Sequence, residues 1–346
     1  MSQKLFFVIS GEHPTLPDAE LKAALEAESC QFRLIESVPK LLLIEAPLSC
    51  LEVVSDRSSM CAISGIVILD CSSDQASVRQ AIGEADLSNI LKPNDSFSVR
   101  VVKAGKSQGR ESSEAIEAFT GKIIEQTVQD VSVDLVRPKK PLVAIVYDEK
   151  FLLGLETYRR KPGSLASRRP RKRPVFHPST MPPKLARCMV NLARPKKGDL
   201  VLDPFCGVGG LLIEAGLIGC RPLGCDLKLK MIRGSIANLK YFGIEPAGVL
   251  LADARVPPFG TVDRIVTDPP YGTAASTHGS TTREILEQFL SAAYETISQG
   301  GYICVGAPRR VEIDLLGRDA GLDLVERHEV YVHRSLTREI VVFRRK

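Results

Sequence analysis

Leu200-Val201-Leu202-Asp203-Pro204-Phe205-Cys206-Gly207-Val208-Gly209-Gly210 reads as a short buried strand that runs into a glycine-rich turn and then a helix. The apolar run follows the turn signal Lys197-Gly198-Asp199, and Leu211-Leu212-Ile213-Glu214-Ala215 resumes at helical spacing. Glycines let the backbone turn tightly and approach a ligand, while the helix start offers N–H groups that lack intrahelical partners. A dinucleotide-binding turn has the same outline, but with G-x-G-x-x-G spacing and a pyrophosphate on the helix. Here the spacing differs and the strand ends in an acid, which would repel a pyrophosphate and attract an ammonium group. The ligand implied is an amino acid joined to a nucleoside, the form of S-adenosylmethionine. Asp203, Pro204, Phe205, Cys206, Gly207 and Gly209 are its expected contacts in this turn.

The downstream strands suit the same ligand. Arg221-Pro222-Leu223-Gly224-Cys225-Asp226 reads as a second strand ending in an acid, at about the 20-residue separation of a ribose-binding carboxylate. Asp226, followed by Leu227, is the expected ribose contact. Gly248 to Ala254 reads as a third strand, with Asp253 and Ala254 placed to meet an adenine amino group. Acids at the carboxyl ends of successive strands are what an open α/β sheet needs, because its ligands bind there. The competing reading is three unrelated turns in which Asp caps a helix. Upstream, Ser179 or Thr180 could offer a hydroxyl to the methionine end of the donor or simply cap the helix that begins near Leu185.

The fourth strand, Val262 to Thr267, ends in Asp268-Pro269-Pro270-Tyr271-Gly272. An exocyclic amine on a nucleobase is a poor nucleophile because its lone pair is delocalised into the ring. A catalyst must accept hydrogen bonds from that amine and hold the base flat beside a methyl donor. Asp268 supplies a carboxylate acceptor, Pro269 and Pro270 fix a stiff turn that can aim the Pro269 carbonyl, and Tyr271 offers a face for stacking. Asp268 thereby borders both donor and target. Alone, the pentapeptide could be an ordinary turn; its position after the Asp203 turn, Asp226 and Asp253 favours an amine-methylating cradle.

The 346 residues allow two or more domains, and no apolar run of about 18 residues offers a membrane span. The N-terminal apolar run Leu5 to Ile9 is too short for a secretory signal, so a cytoplasmic protein is expected. Nine cysteines without a Cys-x-x-Cys pair argue against a zinc site or disulfide framework, and no metal is expected. Cys206 is read as lining the turn, since direct methyl transfer needs no covalent enzyme intermediate.

Net charge is +5, with basic clusters at Arg159-Arg160-Lys161, Arg168 to Arg173 and the C-terminus. Such clusters suit a polyanion held through its phosphates. Lys103, Lys106 and Arg110 on a Gly- and Lys-rich loop, Lys122 on the next helix, and Arg159, Arg160, Arg169, Arg171 and Arg173 are the candidate RNA contacts. A solvated basic linker is the alternative for the last three. Residues 1–70 read as a small ferredoxin-like α/β unit, with a helix expected over Cys50 to Ser64, and 71–157 as a second unit. Residues 158–176 read as a Pro- and Arg-rich linker, and 177–346 as a doubly wound, mostly parallel sheet with an antiparallel closing strand pair. Gly272 to Thr282 reads as a loop able to close on a target base.

Asp203 to Gly209 together with Asp268-Pro269-Pro270-Tyr271 resembles the class I methyltransferases that modify exocyclic amines. Phe97 through Phe119-Thr120-Gly121-Lys122 to Leu153-Gly154-Leu155 resembles a THUMP domain, an RNA-binding module. The order of parts is similar to that of the archaeal tRNA (guanine-10-N2) methyltransferases over nearly the whole chain. The resemblance implies a Rossmann-like catalytic domain, S-adenosylmethionine as donor, tRNA as partner rather than DNA, and N2-methylguanosine or N2,N2-dimethylguanosine as product. It implies donor contacts at Asp203, Asp226 and Asp253 and target contacts at Asp268, Pro269 and Tyr271. A small activating protein subunit, a ribosomal RNA substrate, and a tRNA-binding protein with an inactive catalytic domain stay open.

Overall fold

The computed structural model describes residues 2–106, 111–271, 281–334 and 336–346. The chain forms β1 (Gln3–Ile9), α1 (Leu16–Ala27), β2 (Arg33–Val38), β3 (Leu41–Ala46), α2 (Ser49–Arg57), β4 (Cys61–Ser72), α3 (Gln75–Glu84), β5 (Ser96–Lys103), α4 (Ser113–Thr127), β6 (Ser132–Val133), β7 (Lys140–Tyr147) and β8 (Lys150–Arg159). Then follow α5 (Pro183–Leu192), β9 (Leu200–Asp203), α6 (Gly210–Leu217), β10 (Arg221–Asp226), α7 (Leu229–Tyr241), β11 (Gly248–Leu251), β12 (Val262–Thr267), α8 (Thr282–Thr296), β13 (Ile297–Pro308), α9 (Ile313–Asp319), β14 (Asp323–His333) and β15 (Leu336–Arg344). They make two compact units. The first comprises 1–14, 30–55 and 61–161, and the second 15–29, 56–60 and 162–346.

In the first unit a single sheet runs β2-β3-β1-β4-β8-β7-β5-β6, antiparallel except where β5 pairs with β7 and β6. A boundary at residue 70 would therefore pass through β4, and the parts read as 1–70 and 71–157 share this sheet. Alternating apolar residues bury Phe97, Val99, Leu142 and Leu153 with the α3 and α4 side chains Ile82, Ile123 and Ile124. On α4, Ser112 caps the first turn through its side chain.

The second unit carries the sheet β11-β10-β9-β12-β13-β15-β14, parallel from β11 through β13, with β15 antiparallel to both neighbours. This is the doubly wound sheet with an antiparallel closing pair expected from the sequence. Strand order reverses at β9, whose neighbours β10 and β12 lie on opposite sides of it, and an open α/β sheet binds its ligands at such a point. Apolar clusters centred on α5 and α6 and on α8 and α9 bury the sheet.

Two expectations are corrected. The helix expected over Cys50 to Ser64 ends at Arg57, and Cys61 already starts β4. The reason is Glu20 of α1, buried in the second unit, whose carboxylate accepts from Ser58 Oγ at 2.7 Å, Ser59 N at 2.7 Å and Met60 N at 2.9 Å. Those bonds take the place of helical partners. The stretch expected as a linker divides between the two units: its first residues finish β8, and from Pro162 onward it belongs to the second unit, anchored by the buried Arg173 while most of its residues stay exposed. Val175 exchanges two 2.9 Å hydrogen bonds with the Asn238 side chain of α7. Among the described residues no helix is long and apolar enough to cross a membrane.

Candidate active site

The strand ends of the second unit open into a cavity of about 420 Å³, in the range of small-ligand sites. Its lining includes Thr180 from the segment before α5, and Asp203, Pro204, Phe205, Cys206 and Gly207 from the turn after β9. Asp226, Leu227, Asp253, Ala254 and the run Asp268, Pro269, Pro270 and Tyr271 complete the sequence-derived set. Gly209 lies just behind this wall. Its φ is +83°, and a Cβ there would stand 2.6 Å from Ser235 Oγ, so only glycine fits. Gly207 also turns left-handed, at φ +51°.

Asp203 ends β9 with 3% of its surface exposed. It accepts from Thr267 Oγ1 at 2.6 Å and Phe205 N at 3.2 Å. Burial pushes its carboxyl up to about 7, with Asp268 and Asp226 adding repulsion against the hydrogen bonds that favour the anion. Asp203, Asp226 and Asp268 all line the cavity, and Asp203 has no basic partner among those hydrogen bonds. That donor set fits the ammonium of an amino acid. Asp226 holds the glycine turn, accepting from Gly207 N at 3.1 Å and Lys228 N at 2.9 Å, and its oxygens retain capacity for ribose hydroxyls.

Asp253 departs from the simple reading. It lies beyond the end of β11, and Arg255 grips both of its oxygens, with Nε at 3.0 Å from each and Nη2 at 2.6 Å from Oδ2. An adenine amino group would share that carboxylate with a guanidinium that also lines the cavity. Cys206 is buried, and desolvation, together with Asp203 and Asp226, pushes its thiol well above the ordinary range. It stays protonated, as a turn-lining residue should.

Asp268 follows β12 directly. Tyr271 donates its hydroxyl to Asp268 Oδ1, while Arg338 of β15 stands 3.1 Å from Oδ2 and donates through Nε to the Tyr271 oxygen at 3.0 Å. The Arg338 guanidinium also covers the Tyr271 ring, 5.3 Å from its centroid. Burial raises the Asp268 carboxyl above the ordinary range, opposed by Arg338 and the tyrosine. Arg338 was not read from the sequence. Gly306 of β13 packs against Asp268 and Tyr271. A Cβ there would overlap Asp268 Oδ1 and lie 2.8 Å from the Tyr271 hydroxyl. A glycine inside a strand is the signal that marks such a close approach.

Of the candidate RNA contacts, Lys106, Lys122, Arg159, Arg169 and Arg171 are exposed. Arg159 is engaged by Glu156, and Lys103 donates to the Glu111 carbonyl at 2.7 Å. Arg160 is half-buried. Arg110 and the loop residues 272–280 lie outside the described residues. Arg173 is corrected: it is buried, so as placed it does not face a polyanion.

A parallel sheet closed by an antiparallel pair, acids at the strand ends and Asp-Pro-Pro-Tyr beside the point of reversal define a class I methyltransferase. Residues 170–340 match a family described as an RMKL-like methyltransferase domain, and 90–238 match a family of DNA methylases. The chain is 38% identical to the tRNA (guanine(10)-N2)-dimethyltransferase of Methanothermobacter thermautotrophicus, covering 99% of each protein. It is 32% identical to that of Methanocaldococcus jannaschii, covering 98% of this chain and 99% of the relative. Among solved structures, TrmN from Thermus thermophilus superposes with a TM-score of 0.58 at 20% identity, over 99% of this chain and 100% of that one. The chain belongs to the tRNA (guanine(10)-N2)-dimethyltransferase family.

Proposed function

We propose that the protein transfers methyl groups from S-adenosylmethionine to the N2 amine of guanine 10 in tRNA. The observation that carries this reading is Asp268-Pro269-Pro270-Tyr271 opening into the same cavity as Asp203 and Asp226. Asp203 receives the donor's ammonium and Asp226 its ribose. When bound, the donor supplies a methyl group on a sulfonium. Asp268 and the Pro269 carbonyl accept hydrogen bonds from the amine and free its lone pair, while Tyr271 fixes the plane of the base. The N–C bond forms as the C–S bond breaks, its electrons staying on sulfur and the amine proton leaving to Asp268 or water. Burial of Asp268, which raises its proton affinity, suits it to receive that proton. The base must leave its stack to reach the cavity, at a cost of about a few kcal/mol if paired.

The first unit serves as the RNA-gripping part, with residues 71–157 as its THUMP portion. Likeness to the family over the full chain supports this, as do the exposed Lys106 and Lys122. The deciding experiment is methyl incorporation from labelled donor into an unmodified tRNA transcript, with nucleoside analysis and a repeat in which guanine 10 is replaced. N2-methylated guanosine that disappears with the replacement is expected. Incorporation by the purified chain alone would dispense with an activating subunit. Incorporation into a DNA duplex instead would overturn the reading.

A further inference from the structure

Glu214 of α6 is completely buried and faces more positive charge than it can balance. Arg168 holds it through Nε to Oε1 at 2.9 Å and Nη2 to Oε2 at 3.1 Å, and Arg187 donates through Nε to Oε2 at 3.0 Å. A third guanidinium, that of Arg173, lies near the same carboxylate with 5% exposure, and its Nε donates to the Arg168 carbonyl at 2.9 Å. Both of its terminal nitrogens, Nη1 and Nη2, are buried and make no hydrogen bond among the described residues. Buried donors on a charged group are almost always satisfied, so the two terminal nitrogens can take an acceptor beyond Glu214, which Arg168 and Arg187 already hold. Burial also weakens its hold on its proton, the effect an added anion would reverse.

The place of that surplus charge narrows the anion. A Cβ on Gly210 would lie 3.5 Å from Arg173 Nη1 and 3.3 Å from Thr180 Cγ2. Gly210 and Thr180 both line the donor cavity, and Gly210 is the first residue of α6, where N–H groups favour negative charge. The same strand, turn and helix present the acidic Asp203 to the cavity.

We propose that Arg173 binds the carboxylate of the donor's amino-acid end, so that Arg173 and Asp203 together select a zwitterion. The inference rests on the methyltransferase reading above. It turns a residue whose sequence context suggested RNA into a determinant of donor recognition.

The test is calorimetric titration with S-adenosylhomocysteine and with its decarboxylated analogue, which keeps the amine. Wild-type protein is expected to bind the carboxylate form about 10- to 100-fold more tightly, the worth of a charge-assisted hydrogen bond. Arg173→Gln should remove that preference while leaving affinity for the analogue unchanged, which also reports that the variant is folded. Arg173→Lys should restore part of it. Equal affinities in the wild type would overturn the proposal without recourse to any variant. So would an Arg173→Gln protein that loses both ligands equally, or one that loses tRNA and keeps its ligand preference. If the wild type binds neither nucleoside, the methyltransferase reading itself falls.

Discussion

Asp203 makes the ligand-free protein sensitive to pH. An ordinary aspartate titrates near 4 and this one at about 7, so between those values the folded chain holds a proton that the unfolded chain releases. Stability therefore falls as pH rises through that window. Asp203→Asn should raise the melting temperature at pH 8 by about 2–4 °C for each kcal/mol relieved, and leave it unchanged near pH 4. The same variant should bind donor at least about tenfold more weakly. Thermal scans at the two pH values and a donor titration check both. For Asp268 the neighbour decides: Arg338 lowers a carboxyl that burial raises. Arg338→Met should move the acid limb of the methylation rate to higher pH, and Arg338→Lys should bring part of it back; an unmoved limb would show that Asp268 does not titrate in the reaction. Asp203, Asp226 and Asp268 were legible because each ends or directly follows a short strand. Arg338 was not, since it reaches Asp268 through the pairing of β15 with β13, which sequence spacing does not encode.

The contact between β13 and the loop after β12 depends on Gly306 having no side chain. Gly306→Ala should displace Asp268 and Tyr271, lowering methyl transfer by about 10- to 100-fold, consistent with the sensitivity of rate to small misplacements, while donor binding stays near wild type. The segment 162–176 shows why composition misleads. Arginine and proline runs usually mark solvated linkers, and the residue that draws this one inward, Glu214, stands as a single acid in an apolar helix. Glu214→Gln should cost about 3–5 kcal/mol in urea unfolding, because it leaves buried guanidinium groups without their counter-charge. Helix α1 lies within the part read as 1–70, but it does not group there. It packs on α5, and its Glu20 accepts from Asn191 Nδ2 at 3.0 Å. Sequence proximity to β1 suggested the opposite grouping.

Across the whole molecule, the mild net charge of +5 does not say which basic residues face outward. Arg168, Arg173 and Arg187 are held inside the second unit, whereas Arg169 and Arg171 remain exposed. Replacing Arg169 and Arg171 with Gln should reduce the salt slope of tRNA binding by about two if both contact phosphates, measured by titration at several salt concentrations. The sequence reads as four consecutive parts, 1–70, 71–157, 158–176 and 177–346, whereas the chain forms two interleaved units, because the packing that joins distant segments leaves no mark in local pattern. The chain passes between its two units five times, since 15–29 and 56–60 belong with 162–346. On the ribosome, α1 emerges early and has to wait for α5 before it can bury its apolar face. In evolution, a single crossover near residue 162 would import a methyltransferase half without its own first helix. Such an exchange would also leave behind residues 56–60, so the cost of moving 162–346 alone is the loss of two pieces of the same compact unit.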